Sequence, residues 1–315
     1  SRKGFVLDVI EMLKAALFGL VEGVTEWLPI SSTGHMLLLD QFVTLNVSQA
    51  FWDMFLVVIQ LGAILAVCVL FFFELNPFSR KKTKGQRRGT WCLWAKIVVA
   101  CIPAAVIGLP LDDIIEEYLS SPFVIAAALI AYGVAFIVIE SSRAARAEEL
   151  AASVTDPASV GPRHLAIPQA MSASELADQD ARVTDVEHLD WKTAIGIGCF
   201  QVLSIVPGTS RSGSTIIGGL LLGCSRTVAA EFTFYLAVPV MFGASGLRLA
   251  KYLAKNAMSS SELVILLIGC IVAFLVSLVA IRFLMGFVKK HDFKPFGWYR
   301  IALGAVVIAY FALVR

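Results

Sequence analysis

The feature that most constrains this chain is an imperfect internal repeat, set in apolar sequence and broken by proline in both copies. The first copy runs Gly19-Leu20-Val21-Glu22-Gly23-Val24-Thr25-Glu26-Trp27-Leu28-Pro29-Ile30-Ser31-Ser32-Thr33-Gly34-His35. The second begins Gly198-Cys199-Phe200-Gln201 and passes through Pro207-Gly208-Thr209-Ser210-Arg211 to Ser212-Gly213. The interval from Gly19 to Gly34 equals that from Gly198 to Gly213, so Glu22 aligns with Gln201 and Ser32 with Arg211. One copy carries carboxylates, hydroxyls and an imidazole, and the other a guanidinium. Such groups are costly in apolar surroundings, which is a reason to read them as functional.

Composition defines the solvent. With 58% hydrophobic and 16% charged residues and a mean hydropathy of +0.79, the chain is suited to a bilayer. A net charge of +2 gives no footing for a nucleic-acid partner. Apolar stretches predict six spans, near 51–73, 91–110, 122–140, 228–250, 262–287 and 299–314. The N-terminal stretch is interrupted by Asp8, Glu11 and Lys14 and does not read as a cleavable leader. The six cysteines are scattered without a CxxC pair and read as buried small residues.

The two motif segments, 12–45 and 192–222, are apolar but interrupted by Pro29 and Pro207 beside glycines and hydroxyls. They predict helix-loop-helix hairpins that enter and leave on one side, since irregular backbone at membrane depth needs protein or water to satisfy it. The loop with Arg80, Lys81, Lys82, Lys84, Arg87 and Arg88 is assigned to the cytoplasm by its positive charge. The remaining topology then makes the two hairpins enter from opposite faces. The expected fold is an all-α polytopic membrane protein, an inverted-topology repeat with six transmembrane helices and two re-entrant hairpins. Its parts are a first repeat over 1–140, a polar cytoplasmic connector over 141–190 and a second repeat over 191–315. The connector's prolines and acidic residues suggest partial disorder, and His164 and His188 within it read as ordinary exposed side chains.

Glu22 and Glu26 are four apart, so on a helix both carboxylates share one face. Two like charges in apolar surroundings call for a cation or a shared proton. A divalent ion, Mg²⁺ or Ca²⁺, held by Glu22 and Glu26 would satisfy both and could grip phosphate oxygens. One glutamate merely bonding the broken helix is the plainer alternative. Ser31, Ser32 and Thr33 lead into a tight turn at Gly34 where donors can converge on an anion. His35 is close enough to take a hydroxyl proton if the turn folds back. The competing reading is a kink whose hydroxyls satisfy freed backbone. Arg211, among Thr209, Ser210, Ser212 and Gly213, is shaped for bidentate phosphate binding, with a salt bridge to Glu22 or Glu26 as the alternative.

These segments, Glu22 to His35 and Pro207 to Gly213, resemble the two signature regions of the bacterial undecaprenyl-diphosphate phosphatase family, the membrane kind once called bacitracin-resistance protein. The likeness extends over nearly the whole chain, including Phe51 to Phe73, Pro103 to Gly108 and Gly218 to Pro239. It implies hydrolysis of undecaprenyl diphosphate to the monophosphate and inorganic phosphate, recycling the lipid carrier for cell-wall synthesis. It further implies divalent-cation dependence and a bacterial plasma (inner) membrane enzyme whose site opens to the periplasmic or outer face. The family's groups fall on Glu22, Glu26, Ser32, His35 and Arg211, with Ser31, Thr33, Gly34, Thr209, Ser210, Ser212 and Gly213 as phosphate neighbours. Thr209 stands where some members have an aromatic residue, and the connector is long for the family. Membrane lipid is the expected surround, and a homodimer is one expected assembly. A carrier-lipid flippase, an intramembrane serine hydrolase and a non-enzymatic scaffold are the alternatives. For the chemistry the sequence offers Ser32 as nucleophile with His35 as base, His35 itself as nucleophile, or direct attack by water.

Overall fold

The computed structural model describes residues 9–154 and 173–314. Twelve α-helices follow in order: α1 (Val9–Thr25), α2 (Ser32–Asp40), α3 (Gln49–Leu70), α4 (Phe72–Leu75), α5 (Lys84–Leu119) and α6 (Pro122–Val154), then α7 (Ala173–Gln179), α8 (Trp191–Val202), α9 (Arg211–Leu221), α10 (Arg226–Lys255), α11 (Ser260–Val288) and α12 (Lys294–Leu313). No strand occurs among the described residues, only one isolated bridge between Val183 and Cys224.

Helix starts are written locally. Ser48, Asp190 and Ser225 each accept a backbone N–H of the first turn, while Thr83 with Gln86 and Ser259 with Glu262 form reciprocal capping boxes. Among the described residues six helices are long and apolar enough to cross a bilayer: α3, α5 over Lys84–Gly108, α6 over Pro122–Glu149, α10, α11 and α12. Their outer faces confirm the solvent. Along α11 the exposed large apolar side chains are Leu263, Leu267, Ile271, Leu275, Val279 and Phe283, while the middle of the inward face carries Gly269, Ala273, Ser277 and Ala280, with Ile265, Leu266, Ile281, Leu284 and Val288 buried nearer the ends. Large apolar groups outside and small ones at the middle of the inward face suit a helix packed against helices in lipid. The chain is an all-helical multi-pass membrane protein.

The four hairpin helices are shorter. At about 1.5 Å per residue, α2, α8 and α9 fall well short of a hydrocarbon core about 30 Å thick, and α1 over its described residues Val9–Thr25 spans about 26 Å. Each hairpin leans on the other half: α1 packs along α11 and α8 along α5, while α6 pairs with α12 and α3 with α10. Glycine allows the first two approaches. A Cβ on Gly19 would overlap the Gly269 carbonyl oxygen, and one on Gly198, its counterpart, would overlap that of Ala100.

The expected break at 141 falls inside α6, which continues to Val154. Residues 141–154 are rich in helix-forming Ala, Glu and Arg, and Arg143 fixes them by donating to the carbonyls of Ala177 and Cys224 beside Asp178. The connector's described end is likewise ordered, with Arg182 joined to Asp190 and Thr193. His188 is exposed near Asp185, and His164 lies outside the described residues.

Candidate active site

Both hairpin tips are built alike. After α1 the chain runs through Pro29 to Ser31, and after α8 it runs through Pro207 to Ser210. Ser31 (φ 72°) and Ser210 (φ 70°) are the only non-glycine residues with positive φ among the described residues. Each is the N-cap of the next helix, its hydroxyl accepting the N–H of Gly34 at 3.4 Å and of Gly213 at 3.1 Å. Ser32 and Arg211 are therefore the first residues of α2 and α9. Helix N-termini carry free N–H groups and positive partial charge, so both tips favour an anion.

The two halves meet at Glu26. Its Oε2 accepts the Ser32 hydroxyl at 3.0 Å, its Oε1 accepts Arg211 Nη2 at 2.5 Å, and its backbone carbonyl accepts the Ser212 hydroxyl at 3.2 Å. Glu26 and Arg211 are largely enclosed, with side chains 9% and 13% exposed. Glu22 faces both of them. Its Oε1 is buried without a hydrogen-bond partner in the protein, as is Nη1 of Arg211. Gln201, the counterpart of Glu22, has a buried Oε1 of the same kind. Unpaired buried charged groups are expensive, so a site with one carboxylate oxygen and one guanidinium nitrogen to spare is built to receive charged partners.

Other expected members have different employment. His35 makes no hydrogen bond to Ser32. Its Nδ1 lies 2.7 Å from the Ser31 carbonyl oxygen and its Nε2 lies 2.7 Å from the Tyr299 hydroxyl, with the two rings stacked. The helical turn from Ser31 to His35 directs the ring to that carbonyl and on to α12, away from the Ser32 hydroxyl. Thr209 is buried and gives its hydroxyl to the carbonyls of Leu203 and Val206, which makes it a turn fastener. Thr33 is exposed, and Ser210 is paired with Ser212 at 3.1 Å. Gly34 and Gly213 serve close packing, Gly34 against Leu129 and Gly213 beside Ser210 and Arg300. Of the cysteines only Cys224 is fully buried, and all six are free thiols.

Two residues that sequence reasoning missed complete the site. Tyr299 positions His35. Arg300 is fully buried and donates to the carbonyls of Pro29 (3.1 Å), Gly208 (2.9 Å) and Thr209 (2.9 Å). Pro29 and Gly208 occupy the same position in the two copies, so one guanidinium laces the two tips together. Its ring neighbour is Tyr132, 5.5 Å from the centroid. The one available signal was an arginine in the apolar run of the last span.

Fold and site together define a class: a polytopic helical membrane protein whose two halves converge on a buried carboxylate, hydroxyl and guanidinium cluster. Residues 15–306 match the family described as "Bacitracin resistance protein BacA". The chain belongs to that family. Among its relatives, an undecaprenyl-diphosphatase of Enterococcus faecalis is 47% identical over 94% of this chain and 96% of its own length. One of Streptococcus thermophilus is 50% identical over 97% and 95%, and one of Limosilactobacillus fermentum 48% identical over 97% and 99%.

Proposed function

We propose that this protein hydrolyses undecaprenyl diphosphate to undecaprenyl phosphate and inorganic phosphate, returning the carrier lipid to cell-wall synthesis. The names of its relatives along nearly their full lengths support the substrate. The observation that carries the chemistry is Glu26, which holds a hydroxyl from one half and a guanidinium from the other.

The terminal phosphate would lie against Arg211 Nη1 and the N-termini of α2 and α9, which oppose its charge. Ser32 Oγ attacks the terminal phosphorus, the bond to the bridging oxygen breaks and the lipid monophosphate departs. Glu26 Oε2 is already hydrogen-bonded to the Ser32 hydroxyl, so we assign it the proton in place of His35. Water then hydrolyses the phosphoserine and releases inorganic phosphate. Both ring nitrogens of His35 are engaged, which disfavours it as nucleophile. A divalent cation, Mg²⁺ or Ca²⁺, fits Glu22 and Glu26, because Glu22 Oε1 is a buried oxygen without a partner. Among the described residues no third carboxylate, histidine or cysteine joins them, so water and phosphate oxygens would complete the shell. Such an ion would neutralise charge on the phosphate oxygens.

The hairpins are taken as re-entrant, with the site in the bacterial plasma membrane and open to the outer face. Positive charge between α4 and α5 supports that orientation. The test is phosphate release by the detergent-solubilised protein given undecaprenyl diphosphate, with and without EDTA. Release that stops with EDTA and returns with Mg²⁺ or Ca²⁺ is expected. No release under any of these conditions would overturn the proposal. Ser32→Ala should lower kcat by several orders of magnitude, whereas loss of one hydrogen bond would cost about a hundredfold or less.

A further inference from the structure

A second site of different character lies at the end of the bundle that carries the basic loop. There α3, α4 and the start of α5 enclose a groove of about 330 Å³ whose walls include Phe72, Leu75, Phe78, Trp91 and Trp94. One wall is fixed: Trp94 Nε1 donates to the Leu75 carbonyl at 2.7 Å. The other is an exposed aromatic pair, Phe78 edge-on to Trp91 at 5.6 Å, with Phe78 74% and Trp91 53% exposed. The Phe78 turn is held by its N–H donating to the Asn76 side chain.

The adjoining chain is one-signed. Between Arg80 and Arg88 it places six cations, and from Leu75 to Leu111 it has no acidic residue, the near carboxylates being those of Glu74 and Glu187, which act on Lys82. Lys82 is turned inward, where it bonds the Glu74 carbonyl and the Thr90 hydroxyl and sits over the Phe73 ring. Arg80, Lys81, Lys84 and Arg88 are exposed, and Nε of Arg87 is buried without a hydrogen-bond partner. An apolar groove opening beside unneutralised cations has the polarity of one ligand class, an anionic head joined to an acyl chain. An ordinary interfacial belt would give aromatics without a groove, and an ordinary positive-inside loop would give cations without apolar walls.

We propose that this groove binds an anionic glycerophospholipid of the cytoplasmic leaflet, one acyl chain along Phe72, Phe78, Trp91 and Trp94 and the headgroup phosphate among Arg80, Lys81, Arg87 and Arg88. The site is separate from the Glu26 and Arg211 centre and does not depend on the reaction assigned there. Binding would tie the ends of α3 and α5 to one leaflet.

Trp91 and Trp94 supply the readout. The full-length protein is placed in phosphatidylcholine nanodiscs containing a small fraction of phosphatidylglycerol brominated on one acyl chain, and tryptophan quenching is compared with that by equally brominated phosphatidylcholine. The anionic lipid should quench at several-fold lower mole fraction, because each cation near the surface contributes about fivefold to affinity at low salt. The preference should vanish in Trp91→Phe/Trp94→Phe, which locates the site. It should also fall at least about tenfold in Arg80→Gln/Lys81→Gln/Arg87→Gln/Arg88→Gln, and in part in Arg80→Gln/Lys81→Gln/Arg88→Gln, which changes exposed residues only. Equal quenching by the two lipids in the unmodified protein would overturn the proposal. So would a preference that survives the tryptophan or the four-cation variant, since the lipid would then lie elsewhere or bind without these cations. Stronger competition by polyprenyl phosphate than by unbrominated phosphatidylglycerol would overturn the choice of ligand.

Discussion

Ser31 and Ser210 hold the same rare backbone conformation at the same place in the two copies, and each caps the helix that begins with a reactive residue. A non-glycine residue at positive φ with extended ψ costs roughly 1–3 kcal/mol, which the surrounding contacts must offset. The cap returns part of it. Replacing either serine by alanine keeps the strain and loses the cap, so Ser31→Ala and Ser210→Ala should each destabilise by about 1–2 kcal/mol. Glycine relieves the strain and should cost less than alanine at both sites. Thermal unfolding in detergent checks the ranking, and alanine outperforming glycine would contradict it.

Arg300 should behave as a positioning residue. Its fork reaches three carbonyls on two tips, and a lysine cannot span them. Arg300→Lys is expected to lower kcat for phosphate release at least about tenfold while leaving KM within a few-fold, because its donors are spent on backbone carbonyls of the two tips rather than left free for substrate. Arg300→Met should cost more and reduce thermal stability as well, since buried carbonyls lose their donor. A KM effect alone would place Arg300 at the substrate.

How much of this was legible in the sequence depended on how local each signal was. The breaks at Pro29 and Pro207 and the register of Ser32 with Arg211 are short-range, and the structure uses each of them; Ser31 and Ser210, read as hydroxyls for an anion, are the N-caps of α2 and α9. The pairing of Arg211 with a glutamate stood as an alternative, and Glu26 fills it. Arg300 was not legible because its partners are backbone carbonyls, which every residue has. Tyr299 was hidden for a related reason: its partner His35 lies at the other end of the chain, and a tyrosine near a membrane interface ordinarily needs no partner. The Ser32 and His35 pairing rested on proximity in sequence. A helical turn carries residue i+4 onto the carbonyl of residue i, and that places His35 on Ser31 rather than on Ser32.

The roles of Glu26 and His35 separate kinetically. Glu26→Gln removes the proton acceptor and the anchor of Arg211 together, so kcat should fall by about three orders of magnitude or more. Tyr299→Phe removes one hydrogen bond to His35 and should cost about tenfold or less. If Tyr299→Phe matched Glu26→Gln in depth, the imidazole would have to carry the proton, and the assignment to Glu26 would fail.

Gly19 and Gly198 permit the same approach in opposite halves, so their substitutions should match. Alanine at either drives a methyl into a backbone carbonyl, Gly269 in one case and Ala100 in the other, and neither backbone can rotate away. Gly19→Ala and Gly198→Ala should each destabilise by about 1–3 kcal/mol, read from unfolding midpoints. A neutral Gly198→Ala would mean that α8 is free to withdraw from α5.

The last prediction concerns the ion pair that closes the other end of the bundle. Glu140 is fully buried and accepts Nε and Nη2 of Arg226 at 2.8 and 2.7 Å, while its Oε1 also takes the N–H of Phe293. Asp178, from α7, accepts the backbone N–H of Arg226. The arrangement joins α6, α7, α10 and the turn before α12. Removing the Glu140 charge leaves the buried Arg226 guanidinium with only the longer Asp178 contact, 3.9 Å from Nη1, as a carboxylate partner, so Glu140→Gln should cost about 3 kcal/mol. Replacing both by apolar residues of similar size removes the desolvation cost together with the attraction, so Glu140→Leu/Arg226→Met should recover most of that loss. The pair is far from the Glu26 centre in the fold, and phosphate release per folded molecule should stay within a few-fold of the unmodified protein in both variants. The measurement is unfolding in detergent alongside turnover. A double variant less stable than Glu140→Gln would mean that the attraction outweighs desolvation here, and the burial argument would fail at this site.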